Sequence, residues 1–264
     1  MAQIEHIKRA VRGRVRPGAW RRARAAVHWP AVLMATLTGD LPRIASFYQT
    51  DKWGDHWYAA HYQRHFAPMR LRPVTLLEIG VGGHTDVRSG GASLRMWKRY
   101  FQRGQIYGLD LYDKSAFEEH RIKIFRGDQT DGDLLRQIVE RIGRIDIVID
   151  DGSHVNEHVR ASFDVLFPLL PDGAIYVIED TQTSFWPEFG GSEELYAPGT
   201  SLALARELMT GLNHAEVLDE SFKPSFTDLN VSAVHCYHNM IFIVKSRNDE
   251  SSNKQQALPE RFSG

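Results

Sequence analysis

The sequence predicts an α/β fold: a mostly parallel, seven-stranded sheet with helices on both faces, closed by a C-terminal β-hairpin. Three observations carry this expectation. Short apolar runs alternate with amphipathic stretches five times between residues 74 and 178, the pattern of a parallel sheet with crossover helices. The run Ile145–Asp150 is apolar apart from Asp146 before its acidic end, as a central strand buried on both faces requires. Two further runs, Val231–Tyr237 and Met240–Lys245, flank His238-Asn239 and read as a hairpin.

Taken in order, Val74–Ile79 is the first strand and ends in the turn Gly80-Val81-Gly82-Gly83. Leu94–Phe101 follows at helical spacing, then the strands Gln105–Asp110 and Ile122–Arg126, then a helix over Asp131–Ile142. After the fourth strand, Glu157–Leu169 is helical and stops at the turn Leu170-Pro171-Asp172-Gly173. Ala174–Ile178 is the fifth strand, Leu202–Leu212 a helix, and the hairpin closes the sheet. Four segments are expected: a basic helical arm (1–45), an aromatic- and histidine-rich lid (46–70), the α/β core (71–247) and a disordered polar tail (248–264).

The chain has 264 residues, 42% hydrophobic and 25% charged, enough apolar content for a core and too much for wholesale disorder. Lys and Arg number 32 against 33 Asp and Glu, yet residues 1–30 alone carry +7 and the rest −8. Such an arm can bind nucleic acid or an anionic membrane. The reading adopted is a solvated or docked face, with no nucleic acid partner and at most peripheral membrane contact. The single cysteine, Cys236, fits a reducing compartment. With no apolar run of bilayer length and no secretory signal pattern, a cytoplasmic protein is expected.

Ligands of open parallel sheets bind beyond the carboxyl ends of the strands. Each strand here delivers acid to that rim: Glu78, Asp110, Asp128, Asp150-Asp151 and Glu179-Asp180. One aspartate is explained as a helix cap. Five positions together concentrate negative charge that a cation must offset. S-adenosylmethionine, with its sulfonium and ammonium, is such a cation. A nicotinamide dinucleotide is the competitor. Ten residues separate Gly82 from the expected helix start, which removes the helix N-terminus from a pyrophosphate, and Glu78 would repel one.

Asp151 and the pair Glu179-Asp180 stand after neighbouring strands, so three carboxylates converge. Oxygen donors without a nearby cysteine select a hard ion, Mg2+ first, Mn2+ or Ca2+ next. His154, three residues past Asp151, is the expected general base. His154 to His158 also fit the H-x-x-E-H zinc pattern, but His154 falls at a strand–helix junction and not inside a helix. His61 and His65 share a helical face without a third ligand in view.

Thr50-Asp51-Lys52-Trp53-Gly54, His61-Tyr62, Leu77 to Gly83, Ser93 to Trp97, Ile106 to Asp110, Asp150 to His154 and Ile178 to Thr181 together resemble the macrocin/mycinamicin-type sugar O-methyltransferases. The likeness covers roughly residues 46–245. It implies a class I methyltransferase, Rossmann-like fold, magnesium dependence and a hexose hydroxyl as methyl acceptor. Carried over, Asp151, Glu179 and Asp180 are metal ligands and His154 the base. Glu78, Gly80, Gly82 and Ser93 line the methionine end of the cofactor, Asp110 its ribose, and Asp128-Gln129 its adenine, with Asp150 alongside. Thr50, Lys52 and Tyr58 close over its carboxylate. The basic arm replaces the long auxiliary domain of the macrolide enzymes. The expected acceptor is therefore the 1-hydroxyl of a partly methylated mannoside in methylmannose polysaccharide synthesis. Natural-product (macrolide) sugars and catechols are the alternative acceptors, and a non-catalytic cofactor- or polyanion-binding module the alternative class. A homo-oligomer, in the first instance a dimer, is expected.

Overall fold

The computed structural model describes residues 29–254; the greater part of the basic arm and the end of the polar tail lie outside them. The chain divides into two compact units at Arg70/Leu71.

In the first unit, helical residues 29–38 precede α1 (Leu41–Tyr48) and α2 (Tyr58–Phe66). Asp40 caps α1 by accepting from the Arg43 amide, with proline in the first turn where its missing N–H is harmless. The unit is tied across its length: Gln63 Oε1 accepts from the Leu41 amide at 2.8 Å, and Arg70 donates to the Thr36 carbonyl at 2.8 Å. Helix α1 runs through position 45, so the expected arm and lid segments are continuous there.

The second unit is a seven-stranded sheet in the order β3-β2-β1-β4-β5-β7-β6. β1 (Thr75–Ile79), β2 (Gln105–Asp110), β3 (Ile122–Arg126), β4 (Ile147–Asp150) and β5 (Ile175–Glu179) are parallel. The hairpin of β6 (Val231–Tyr237) and β7 (Met240–Lys245) adds an antiparallel edge, with β7 against β5. The crossover helices are α3 (Ala92–Tyr100), α4 (Gly132–Ile142) and α5 (Asn156–Leu169); α6 (Ser201–Gly211) and the short α7 (Phe226–Asn230) follow β5. Every parallel strand foreseen from periodicity is present.

The central strands are buried on both faces. Leu77, Val148, Tyr176 and Ile178 pack against Phe163, Leu166 and Phe167 of α5, an arrangement driven by removal of apolar area from water. Lys245, buried at the end of β7, donates to the carbonyls of Pro168 (2.7 Å) and Leu170 (2.6 Å), satisfying acceptors that the end of α5 leaves open. The start of the expected disordered tail is pinned: Asn248 donates to the carbonyls of Leu212 and Asp228, and the Asn253 amide to Glu216.

Candidate active site

The sheet order places the ends of β1 and β4 side by side at its switch point, and there the backbones touch. Gly80 has φ +91°, a left-handed conformation that glycine adopts without strain. A Cβ on Gly80 would overlap the Asp151 carbonyl oxygen and lie 2.8 Å from its carbon. The Gly91 amide donates to the Val81 carbonyl at 2.7 Å, and Gly91, at φ +70°, caps α3. The helix start therefore stands beside the glycine turn, contrary to the separation expected from the sequence. Residues 82–90 fold back as a loop, so separation along the chain is not separation in space.

That loop is held by Lys114, which is fully buried. Its Nζ donates to the carbonyls of His84 (2.9 Å), Asp86 (2.9 Å) and Ser89 (3.1 Å), using all three donors of an ammonium. Sequence reasoning missed it, because nothing in a lysine four residues past a strand signals burial. Lys114→Met keeps the stem but leaves three carbonyls without their charged donor. We expect cofactor affinity to fall roughly tenfold and the protein to lose roughly 2–3 kcal/mol of stability, measured by calorimetry and by urea unfolding.

Glu78 is buried and accepts from the Ser93 hydroxyl at 2.9 Å, joining β1 to the first turn of α3. Asp110 braces the turn, accepting from the amides of Val81 and Tyr112, each at 2.9 Å. The remaining lone pairs of its carboxylate are available to a ligand. Asp128 is exposed and accepts from the Thr130 amide and hydroxyl, both at 2.8 Å, which hold its carboxyl below the usual range.

Two expected cofactor contacts are engaged elsewhere. Gln129 is buried, donating to Asp150 (3.2 Å) and accepting from the Ser153 amide (2.8 Å), so both ends of its amide brace the rim. Asp150 is turned into the core, where it accepts from Gln129, the Ser162 hydroxyl and the Tyr176 hydroxyl. Burial, partly opposed by these donors, pushes its carboxyl up. The physical reason is the pleat: successive side chains leave a strand on opposite faces, so Asp150 and Asp151 do not share one.

Beyond β4 and β5, donor atoms of Asp151, His154 and Asp180 lie within 4.8 Å of one another. His154 Nε2 is 3.5 Å from Asp180 Oδ2, and both residues are about a quarter exposed or less. Two of the three adopt left-handed backbone, His154 at φ +57° and Asp180 at φ +54°, conformations costing roughly 1–2 kcal/mol each in non-glycine residues. Such strain persists where the surroundings fix it, here through the Thr181 amide to Asn239 (3.2 Å) and the Thr183 amide to Asp180 (3.2 Å). Glu179, the last residue of β5, is buried and is not gathered with these three. The expected base thus stands inside the acidic group.

His158 is not part of it. Its Nδ1 meets the Ser153 hydroxyl at 2.9 Å, and α5 begins at Asn156, leaving His154 outside the helix. The zinc-protease spacing therefore has no helical counterpart. A second hub escaped the sequence reading: Asn156, fully buried, donates to the carbonyls of Thr183 and Phe189 (both 3.0 Å) and accepts from the Ser201 amide (2.7 Å). It anchors the segment that follows Asp180. Its only sequence signal is an Asn at a helix start, which reads as a cap.

Thr50, Lys52 and Tyr58 belong to the first unit. Thr50 Oγ1 donates to Asp51 at 3.1 Å, Lys52 and Tyr58 are buried, and the Tyr58 ring stacks on His56 at 4.7 Å. His61 and His65 lie on α2; burial and then Arg64 hold the His61 pKa below its ordinary value.

No protein-family model matches the chain. The chain is 50% identical over 214 residues to mycinamicin VI 2''-O-methyltransferase of Micromonospora griseorubida, covering 80% of this chain and 54% of that protein. It is 48% identical over 235 residues to demethylmacrocin O-methyltransferase of Streptomyces fradiae, covering 86% and 59%. The solved structure of MycE methyltransferase from the mycinamycin pathway, in complex with Mg and SAH, matches with TM-score 0.78 and 49% identity, over 80% of this chain and 56% of that one. The chain spans between a half and two thirds of the length of these relatives. The mannoside acceptor expected from the sequence has no counterpart in their names, which specify sugars of natural products. Over the portion shared with them, the chain is similar, at 48–50% identity, to the macrocin and mycinamicin sugar O-methyltransferases.

Proposed function

We propose that the chain is an S-adenosylmethionine- and Mg2+-dependent O-methyltransferase acting on a sugar hydroxyl of a glycosylated natural product. One observation carries this reading: Asp151, His154 and Asp180 gathered at the switch-point rim, two of them in strained backbone. The donor set fits the ion, since the carboxylates of Asp151 and Asp180 bring hard oxygen donors together at the rim. Asp151 and Asp180 are the first two ligands; Glu179, buried beside Asp180 and outside that group, is the third only if its carboxylate turns toward them on binding. When bound, the cofactor supplies an electrophilic methyl group and the ion polarises the acceptor hydroxyl.

The remaining work falls to the chain. Glu78, with Ser93, presents a buried carboxylate for the cofactor ammonium beside Gly80 and Gly82. Asp110 keeps the glycine turn in place while offering free lone pairs to the ribose hydroxyls, and Asp128 stands nearest the adenine. The His154 imidazole takes the acceptor proton as the oxygen attacks. The bond from sulfur to methyl breaks as the bond from oxygen to methyl forms, so positioning is the main contribution.

The test is a methyl-transfer assay on demethylmacrocin, mycinamicin VI, a partly methylated mannoside and a catechol. We expect transfer to one of the two macrolides, abolition by excess chelator and recovery with Mg2+. Full activity in chelator would remove the metal from the mechanism. Preference for the mannoside would restore the acceptor expected from the sequence. Glu179→Ala should abolish transfer without weakening cofactor binding; unchanged transfer would confine the ligands to Asp151 and Asp180. A homodimer and a cytoplasmic setting complete the reading.

A further inference from the structure

Gln182 stands two residues past Asp180, inside the 3-10 turn Thr181–Phe185. Its Nε2 donates to Asp180 Oδ1 at 3.2 Å, while the other carboxylate oxygen, Oδ2, lies 3.5 Å from His154 Nε2. Chemistry fixes which end of the amide faces Asp180, because an ionised carboxylate only accepts. The oxygen takes the other branch of the amide. There Gln182 Oε1 is buried and meets no hydrogen-bond donor among the described residues. A buried carbonyl oxygen left in that state is costly and uncommon in a native fold, and a bound ion or its water is one of the few things that relieves it.

The turn that carries Gln182 is held on both sides. The Thr181 amide donates to the Asn239 carbonyl at 3.2 Å, and the Thr183 amide and hydroxyl donate to the Asp180 carbonyl at 3.2 and 3.0 Å. Asn156 donates to the Thr183 carbonyl at 3.0 Å. Thr181 and Thr183 are buried, so of these three residues it is Gln182 whose side chain reaches the Asp180 carboxylate.

Reach decides what the oxygen can meet. Standard amide bond lengths put the oxygen and nitrogen about 2.3 Å apart, so Oε1 lies within roughly 5.5 Å of Asp180 Oδ1. Mg2+ holds its oxygens octahedrally at about 2.1 Å and keeps several waters, so neighbouring oxygens in its shell stand about 3 Å apart. A shell water beside an Asp180 oxygen then comes within hydrogen-bond distance of Oε1.

We propose that Gln182 is a positioning residue for the metal site: its Nε2 holds the Asp180 carboxylate, and its Oε1 accepts a hydrogen bond from a water of the bound Mg2+. The proposal rests on the Mg2+-dependent reading and adds a contact outside the ligand set.

Gln182→Met keeps the bulk of the side chain and loses both polar ends. Calorimetric titration of Mg2+ into protein loaded with S-adenosylhomocysteine should give a Kd about 10–100-fold above wild type, the usual loss on removing a partner of a ligand. Affinity for S-adenosylhomocysteine without metal should not change. Urea unfolding in excess chelator separates this from a merely structural role. Metal-free Gln182→Met should be at least as stable as wild type, since an unpartnered buried oxygen leaves the interior. Mg2+ at ten times the wild-type Kd should then stabilise wild type at least roughly threefold more than the variant. Gln182→Asn, which draws the same amide back by one methylene, should bind Mg2+ as weakly as Gln182→Met. An unchanged Kd in both variants, or a Gln182→Met that loses stability in chelator while keeping its Kd, would overturn the proposal and leave the metal site standing. Wild-type protein that takes up neither Mg2+ nor Mn2+ would remove the metal reading itself, and this contact with it.

Discussion

His154→Ala is expected to lower turnover by roughly 10²–10⁴-fold, the usual contribution of a positioned proton acceptor, with cofactor affinity unchanged. The proposed role rests on the position of the ring. It follows β4 by four residues, its backbone is held at φ +57°, and its Nε2 lies 3.5 Å from Asp180. Truncation removes the imidazole and leaves Asp151 and Asp180 to bind the ion, so metal affinity should change far less than rate. His154→Gln, which keeps a polar group of similar reach but accepts no proton, should be nearly as slow. The comparison needs a histidine without a part in the rim, and His120, fully exposed beyond β2, serves. His158 does not, because its bond to Ser153 ties it to the turn that carries His154; His158→Ala should fall between the two. Near-wild-type turnover of His154→Ala would leave the ion alone to activate the hydroxyl.

Gly80→Ala should be strongly destabilising, at about 2–5 kcal/mol, from left-handed strain together with overpacking. The added Cβ has no space: it runs into the Asp151 carbonyl, backbone against backbone, with no flexible side chain to yield. For a protein of this size that is a fall in melting temperature of roughly 5–15 °C. Because the clash pushes on Asp151, metal binding should weaken as well, and chemical denaturation read beside metal titration separates the two effects. Gly173→Ala is the internal comparison. Its φ is also positive, +83°, but a Cβ there meets nothing within 4 Å, so only the conformational cost of about 1–2 kcal/mol remains. Equal losses at the two positions would mean that the contact between the β1 and β4 turns does not constrain the fold.

Most of the architecture was legible because it rests on local rules. Alternation of short apolar runs with stretches of period 3.6 marked each parallel strand, and the acid at each strand end marked a rim without reference to contacts. Of the residues named just past β4 and β5, Asp151, His154 and Asp180 lie together and Glu179 does not join them. The direction of a side chain was not legible: Asp150 and Gln129 stand at strand ends, but the pleat and a buried partner turn them inward, onto Ser162, Tyr176 and Ser153.

By itself, then, the amino-acid order determined the sheet and its acidic rim, because strand periodicity and strand-end chemistry are properties of neighbours in sequence. Only tertiary structure decided which of those acids share a space. It also folded residues 82–90 back so that the α3 start meets the glycine turn, and recruited Lys114, Lys245 and Asn156 as buried clamps on carbonyls far from them in the chain. Those outcomes depend on satisfying buried polar groups across distances of tens of residues, and no local pattern encodes which donor will be near.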